Sequence, residues 1–260
     1  MDNDSWSEEH TGSYNYIVEV MNAMHGLLKD LYKSDFAKKI DIKGDKSSIN
    51  SQIKSNHSIK RRYTERIIYD TITEFIHFTD TSLLASRTRK HSVAFALLRK
   101  PFREILDTWL LIIIDPDDYV EKLFEKPEEI DVSKYKVRKS LREKINNTPE
   151  LYKSGFNENV YKIYHKMRYN TEDELTLSKL MTQANHILTT SMGQESEEGT
   201  LNFVHFTSLH DKPLWDIYYS SLKALIQYAG NILQILVLKY TTNFHSDSID
   251  KLYNLTWNIR

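Results

Sequence analysis

Cysteine is absent from the chain, and glycine and proline are scarce, at 7 and 5 of 260 residues. The first absence excludes a disulfide framework, cysteine–zinc sites and thiol catalysis. The second argues against sheets and barrels, which need turn residues about every ten positions, and favours a few long helices. An excess of one charge is missing too. Against 36 Asp and Glu stand 35 Lys and Arg, for a formal net charge of −1. A globally basic nucleic-acid binder is therefore not advertised, although a local basic patch is compatible with that total. Long apolar runs are also lacking. The longest, 109–114 and 232–238, fall well short of the roughly 20 residues of a membrane span, and no secretory signal pattern opens the chain. The expectation is a cytoplasmic protein without membrane contact.

Catalytic and cofactor signatures are equally thin. The scattered glycines form neither a phosphate loop nor a dinucleotide fingerprint, both of which need glycines spaced to let backbone N–H groups approach an anion. Neither a GxSxG elbow nor an HExxH pair occurs,. His205 and His210 are five apart, which on a helix would point them to different sides, so they read as loop histidines. No metal and no cofactor is expected.

What is present is globular. Apolar residues make up 40% and charged residues 27%, enough for one large core rather than a disordered chain. The expected fold is all-α, a single helical domain over 1–260 arranged as a multi-helix bundle around a central helix at about 83–114. Residues 1–12 read as a frayed terminus and 41–57, rich in Ser, Lys and Asn, as a mobile linker or loop. Ile17, Met21, Met24, Leu28 and Leu31 draw one apolar stripe, predicting a helix over 14–32. Further helices are predicted over 59–78, 83–114, 117–124, 133–145, 157–167, 171–188, 211–240 and 246–257. In the helix over 83–114, apolar residues cover more than half the circumference, which makes it central. Pro101 inside it predicts a kink or short break at 97–101. Residues 193–199 read as an acidic loop, and 201–206 as an extended stretch.

Three charged or aromatic groupings stand out. On the central helix Arg99, Arg103 and Asp107 recur at steps of four and share one face, with Glu104 beside them and His91 two turns earlier,. Among apolar neighbours such charges must be paired or must line a cleft. One reading is a structural network in which Glu104 and Asp107 pair the arginines. The other is a cationic groove for phosphate or carboxylate at Arg99 and Arg103, with His91 as a catalytic candidate. A second cluster, Lys60, Arg61, Arg62 and Arg66 after His57, reads as a solvated helix start or, at Arg61 and Arg62, as a nucleic-acid contact. The stretch 134–144 is similar in composition and reads as a charged surface helix. Finally, Trp215, Tyr218 and Tyr219 open the last long helix as core or interface anchors.

Residues 94–104 (AFALLRKPFRE), followed by Trp109 and a long helical remainder, resemble the central helix of HEPN-like helical proteins. That resemblance implies a helical bundle, often dimeric, and a ribonuclease or a component of toxin–antitoxin and phage-defence systems. Catalytic members carry an Arg and, after about four to six residues, a His that acts in acid–base chemistry while the Arg stabilises phosphate charge. Here the nearest pair is Arg87 and His91, separated by three residues, so the usual nuclease motif is absent. Two functions follow as expectations. The first is a non-catalytic interaction or regulatory protein with a protein partner or a second copy of itself. The second is a metal-independent ribonuclease or RNA-binding module with a non-standard site at His91, Arg99 and Arg103.

Overall fold

The computed structural model describes residues 8–34, 36, 46–145, 147–148, 151, 158–170, 176–185, 208–240 and 246–257. Among these the chain is an all-α multi-helix bundle without strands. Its helices are α1 (Glu8–Lys33), α2 (Lys46–Ser55), α3 (His57–Arg87), α4 (His91–Arg99), α5 (Leu106–Ile114), α6 (Pro116–Glu125), α7 (Tyr135–Ile145), α8 (Glu158–Tyr169), α9 (Leu177–Asn185), α10 (Ser208–Tyr240) and α11 (Asp247–Trp257).

The apolar stripe of α1 is buried as its spacing predicts, with Ile17, Met24, Leu27 and Leu31 fully enclosed, but the helix begins at Glu8, so residues 8–12 are ordered rather than frayed. His10 explains this. It packs on Tyr219 with ring centroids 5.4 Å apart and lies 3.4 Å from Asp216. The expected linker is likewise corrected in part: 46–55 is helical and inserts Ile53 into the core, while 41–45 fall outside the described residues. The first residues of the helices predicted over 157–167 and 171–188, and the segments 193–199 and 201–206, also lie outside them.

The predicted helix over 83–114 is three pieces. α3 runs on to Arg87 and ends in a Schellman turn, with the Lys90 N–H on the Ala85 carbonyl (2.8 Å) and the Arg89 N–H on that of Ser86 (3.1 Å),. Arg89 takes the left-handed position, φ 60°. The chain then folds back, and α4 packs along α3, where the Ser82 hydroxyl donates to the Ala94 carbonyl across the pair. Pro101 interrupts the α-helical pattern without ending the helix. Lacking an N–H, it sits in a π-helical turn over 100–105 in which the Leu106 N–H reaches back five residues to the Pro101 carbonyl. A π turn adds about one residue to the helical repeat. Asp115 then stops α5 and caps α6 by accepting from the Asp118 N–H,.

α10 is the axis of the bundle, packed by α1, α5 and α11. It starts at Ser208, three residues before the predicted start at 211, with Asp211 in the first turn and Pro213 within the helix. Over Asp211–Tyr240 it is long and apolar enough to cross a membrane, although 61% of its most apolar window is buried in the protein. No uninterrupted apolar run signals this, because Tyr, Gln and Lys interrupt the sequence. Close approach of α11 needs Gly230, where a Cβ would meet the Thr256 methyl at 2.6 Å.

Candidate functional site

The carbonyls of the π turn are answered by α8. The Arg168 guanidinium donates to the Phe102 carbonyl (3.0 Å) and to Asp107 Oδ1 (2.7 Å), while the Tyr169 hydroxyl donates to Asp107 Oδ2 (2.9 Å) and to the Arg103 carbonyl (2.5 Å). Arg168 and Asp107 are both fully buried. Burial opposes the Arg168 charge, and Asp107 with the surrounding tyrosines outweighs it, holding the guanidinium above its ordinary pKa. Tyr161, Tyr169 and Tyr228 box the cation with their rings,.

Arg103 is spent in the same region. Its guanidinium donates to the Arg168 carbonyl (2.7 Å), the Ser178 carbonyl and hydroxyl (2.8 and 2.7 Å) and Thr182 Oγ1 (3.0 Å). Burial lowers its pKa to about 10, still a cation at neutral pH. Asp107 therefore pairs with Arg168 rather than with Arg99 or Arg103. Glu104 and Arg99 are half-buried and make no ion pair with each other or with Arg103 among the described residues. The three residues at steps of four do not form one anion groove.

The other candidates move as well. His91 is fully buried, with Nε2 3.0 Å from Asp211 Oδ1; Asp211 also pairs with Arg89. The ring fastens the α3–α4 corner to α10 and has no opening to a substrate. Arg61 donates to Glu65 (3.0 Å) and to the Tyr240 carbonyl at the end of α10 (3.0 Å). Its neighbours Lys60 and His57 meet Glu121 and Asp117 of α6, and Arg66 meets Asp70. Arg62 is exposed beside these pairs, so the cluster is a clamp between α3 and α6 rather than a cationic patch. Trp215, Tyr218 and Tyr219 lie in the core, at 2% exposure or less, where Trp215 donates to the Ser86 carbonyl and Tyr218 bonds Ser82. No partner surface is built from them.

The open site lies beside this network, between α7 and α8. Tyr161, His165 and Tyr169 recur at steps of four and form one continuous aromatic stripe, with ring centroids 5.5 and 4.6 Å apart. A pocket of about 360 Å³ opens against this stripe. Arg142 of α7 lines it, together with Lys162 and Lys166 of α8 and with Asn170. No carboxylate is among its described lining residues. The exposed face continues along α7 through Lys136, Lys139 and Lys144, where Glu143 is the acid. Positive charge is thus gathered on two helices of a chain whose total is −1. Sequence composition marked α7 as basic, but nothing in it marks α8 as its neighbour. Among the described residues no cluster of His, Asp or Glu could hold a metal ion.

Burial, aided by the Arg168 charge, lowers the His165 pKa from 6.5 to about 4, and burial lowers that of His91 against the pull of Asp211. Each imidazole therefore takes up a proton more readily in the unfolded chain. Their contribution to stability is complete above pH 6.5 and is lost as pH falls through the window from 6.5 towards 4. The melting temperature is expected to drop steadily between pH 7 and 4.5, above the range where Asp30 and Asp131, whose pKa values are lowered, titrate. His165→Gln should flatten part of that slope. A melting temperature constant across the window would mean that neither ring resists protonation.

No protein-family model, curated protein or solved structure matches this chain.

Proposed function

We propose that the protein is a helical interaction module whose partner is single-stranded nucleic acid, bound on the basic face of α7 and α8. The observation that supports this is the pocket: Arg142, Lys162 and Lys166 converge on one cavity, with no carboxylate among its described lining residues. Such a face neutralises phosphates and releases their counterions. The partly exposed rings of His165 and Tyr169, and Tyr135 exposed at 72% at the start of α7, add sequence-tolerant stacking surfaces suited to unpaired bases. The HEPN-like resemblance at 94–104 agrees with an RNA ligand but supplies no residue to this face.

Fluorescence anisotropy with a single-stranded RNA 12-mer tests the reading. Affinity should fall by about tenfold or more between roughly 50 and 200 mM salt. Lys162→Glu/Lys166→Glu should weaken binding by at least about tenfold at the lower salt, since two phosphate contacts become repulsive. Arg62→Glu/Arg66→Glu, on the far clamp, should change it by less than about twofold. Circular dichroism establishes that each variant is folded, with the milder Lys162→Gln/Lys166→Gln as a fallback. Binding untouched by every change on α8, or no binding at low salt, rejects the proposal.

A further inference from the structure

We infer that an exposed strip shared by the end of α1 and the first half of α3 is a docking surface for a protein partner, and that the segment it receives is acidic and carries an aromatic or large apolar side chain. The inference is independent of the α7–α8 face. Lys29, Tyr32 and Lys33 supply the strip from α1, and Arg62, Arg66 and Tyr69 from α3. Steps of three and four put each set on one helix face, and α1 packs against α3.

The rings come first. Tyr32 is 74% exposed, and among the described residues no other large hydrophobic side chain is more so. Tyr69 is half-buried and rests on the core. Its ring centroid lies 6.5 Å from that of Tyr32, with the planes tilted by 37°. A tyrosine held out into water offers a large amphipathic area and has only two torsions to freeze on binding, and such residues are favoured as interface anchors.

Beside the rings stands a cation whose position is already set. The Arg66 guanidinium carbon lies 5.9 Å from the centre of the Tyr69 ring,, and its Nε donates to Asp70 Oδ2 at 2.8 Å. Neither Nη atom of Arg66 has a hydrogen-bond partner among the described residues. A planar fork held by a ring and an ion pair can receive a carboxylate with less ordering on binding than a free side chain requires.

Charge complementarity names the occupant. Lys29, Lys33 and Arg62 are exposed and form no ion pair among the described residues. The neighbouring acids are engaged elsewhere: Asp70 by Arg66, Glu65 by Arg61, and Asp30 by the hydroxyls of Ser246 and Ser248. The strip therefore presents cations in want of carboxylates around an exposed ring. Nucleic acid fits it less well. A strand carries a charge at every nucleotide, some of which would fall against Asp70, and one projecting ring gives successive bases no run of faces to stack on. A polypeptide can space its Asp and Glu to meet Arg66 and the lysines while it sets an apolar side chain against Tyr32.

Random 12-residue peptides displayed on phage would be selected against the full-length protein, and the recovered sequences, labelled with fluorescein, titrated by anisotropy. The pool should be enriched in Asp and Glu together with an aromatic or large apolar residue, and its binding should weaken severalfold between roughly 50 and 200 mM salt. Tyr32→Ala should weaken binding by at least about tenfold, and Arg62→Glu/Arg66→Glu by as much or more, because attraction becomes repulsion. These side chains are exposed, and circular dichroism establishes that both variants are folded. Lys162→Gln/Lys166→Gln, on the other basic face, should change peptide affinity by less than about twofold. A pool without acidic bias, or affinities that neither strip variant changes, overturns the inference. Displacement of the peptides by single-stranded RNA 12-mer at concentrations near that RNA's dissociation constant also overturns it, since the strip would then be a nucleic-acid surface.

Discussion

Arg168→Ala is expected to destabilise the protein by about 3–5 kcal/mol, because it strands the Asp107 carboxylate in a dry interior. Both partners are fully buried, and a carboxylate there keeps only the Tyr169 hydroxyl as a donor. The same change frees the Phe102 carbonyl that the π turn leaves for Arg168, adding the cost of an unmet acceptor. Against a total stability of roughly 5–15 kcal/mol, this approaches loss of the fold. Urea unfolding of the single variants and of Asp107→Leu/Arg168→Met measures it. Removing both charges should recover a large part of the loss, since a buried pair is often replaceable by apolar groups even where breaking it is not tolerated. A cost below about 1 kcal/mol for Arg168→Ala would show that water reaches the pair.

That pair also shows where reading the chain by spacing stops. Arg99, Arg103 and Asp107 lie at steps of four, which on an unbroken α-helix places them on one face. The π turn over 100–105 inserts about one residue into that repeat, so the register before Pro101 does not carry through to Asp107. Asp107 instead meets Arg168, 61 residues further along the chain, and no local pattern encodes a contact between two distant helices. Pro101 was visible as a disturbance, but not the form it would take. The end of α3 was hidden for a different reason. A left-handed residue after a helix is usually Gly or Asn, and here it is Arg89, paired with Asp211 of α10. By contrast the all-α class, the stripe of α1 and the Asp115–Pro116 boundary follow from periodicity and from backbone chemistry that act within a few residues. The basic pocket falls between these cases. Its cations are plain in the sequence, and only packing of α7 against α8 brings them together.

Trp109→Ala should be the costliest single truncation in the apolar core, at about 3–5 kcal/mol. The side chain is fully buried. Its ring lies 5.1 Å from that of Phe75, which meets Phe102 edge-on at 5.3 Å, and its indole N–H donates to Thr71 Oγ1 at 2.9 Å. Trp109→Phe should cost only about 1–2 kcal/mol, because a ring remains against Phe75. Thr71 is then left without an unmet donor, since its hydroxyl still reaches the Ile67 carbonyl at 2.7 Å. Equal losses for the two variants would mean that the hydrogen bond, not the ring volume, dominates. The position also tests how α5 joins the bundle. Trp109 faces α3, while Asp107, two residues earlier and so roughly 200° around the helix, faces α8. A cavity on the α3 side should therefore lower global stability and leave the Asp107–Arg168–Tyr169 contacts that back the pocket in place. Under conditions where Trp109→Ala stays folded, its RNA affinity should lie within about twofold of the parent's. A large loss of binding would show that the two sides of α5 are mechanically coupled.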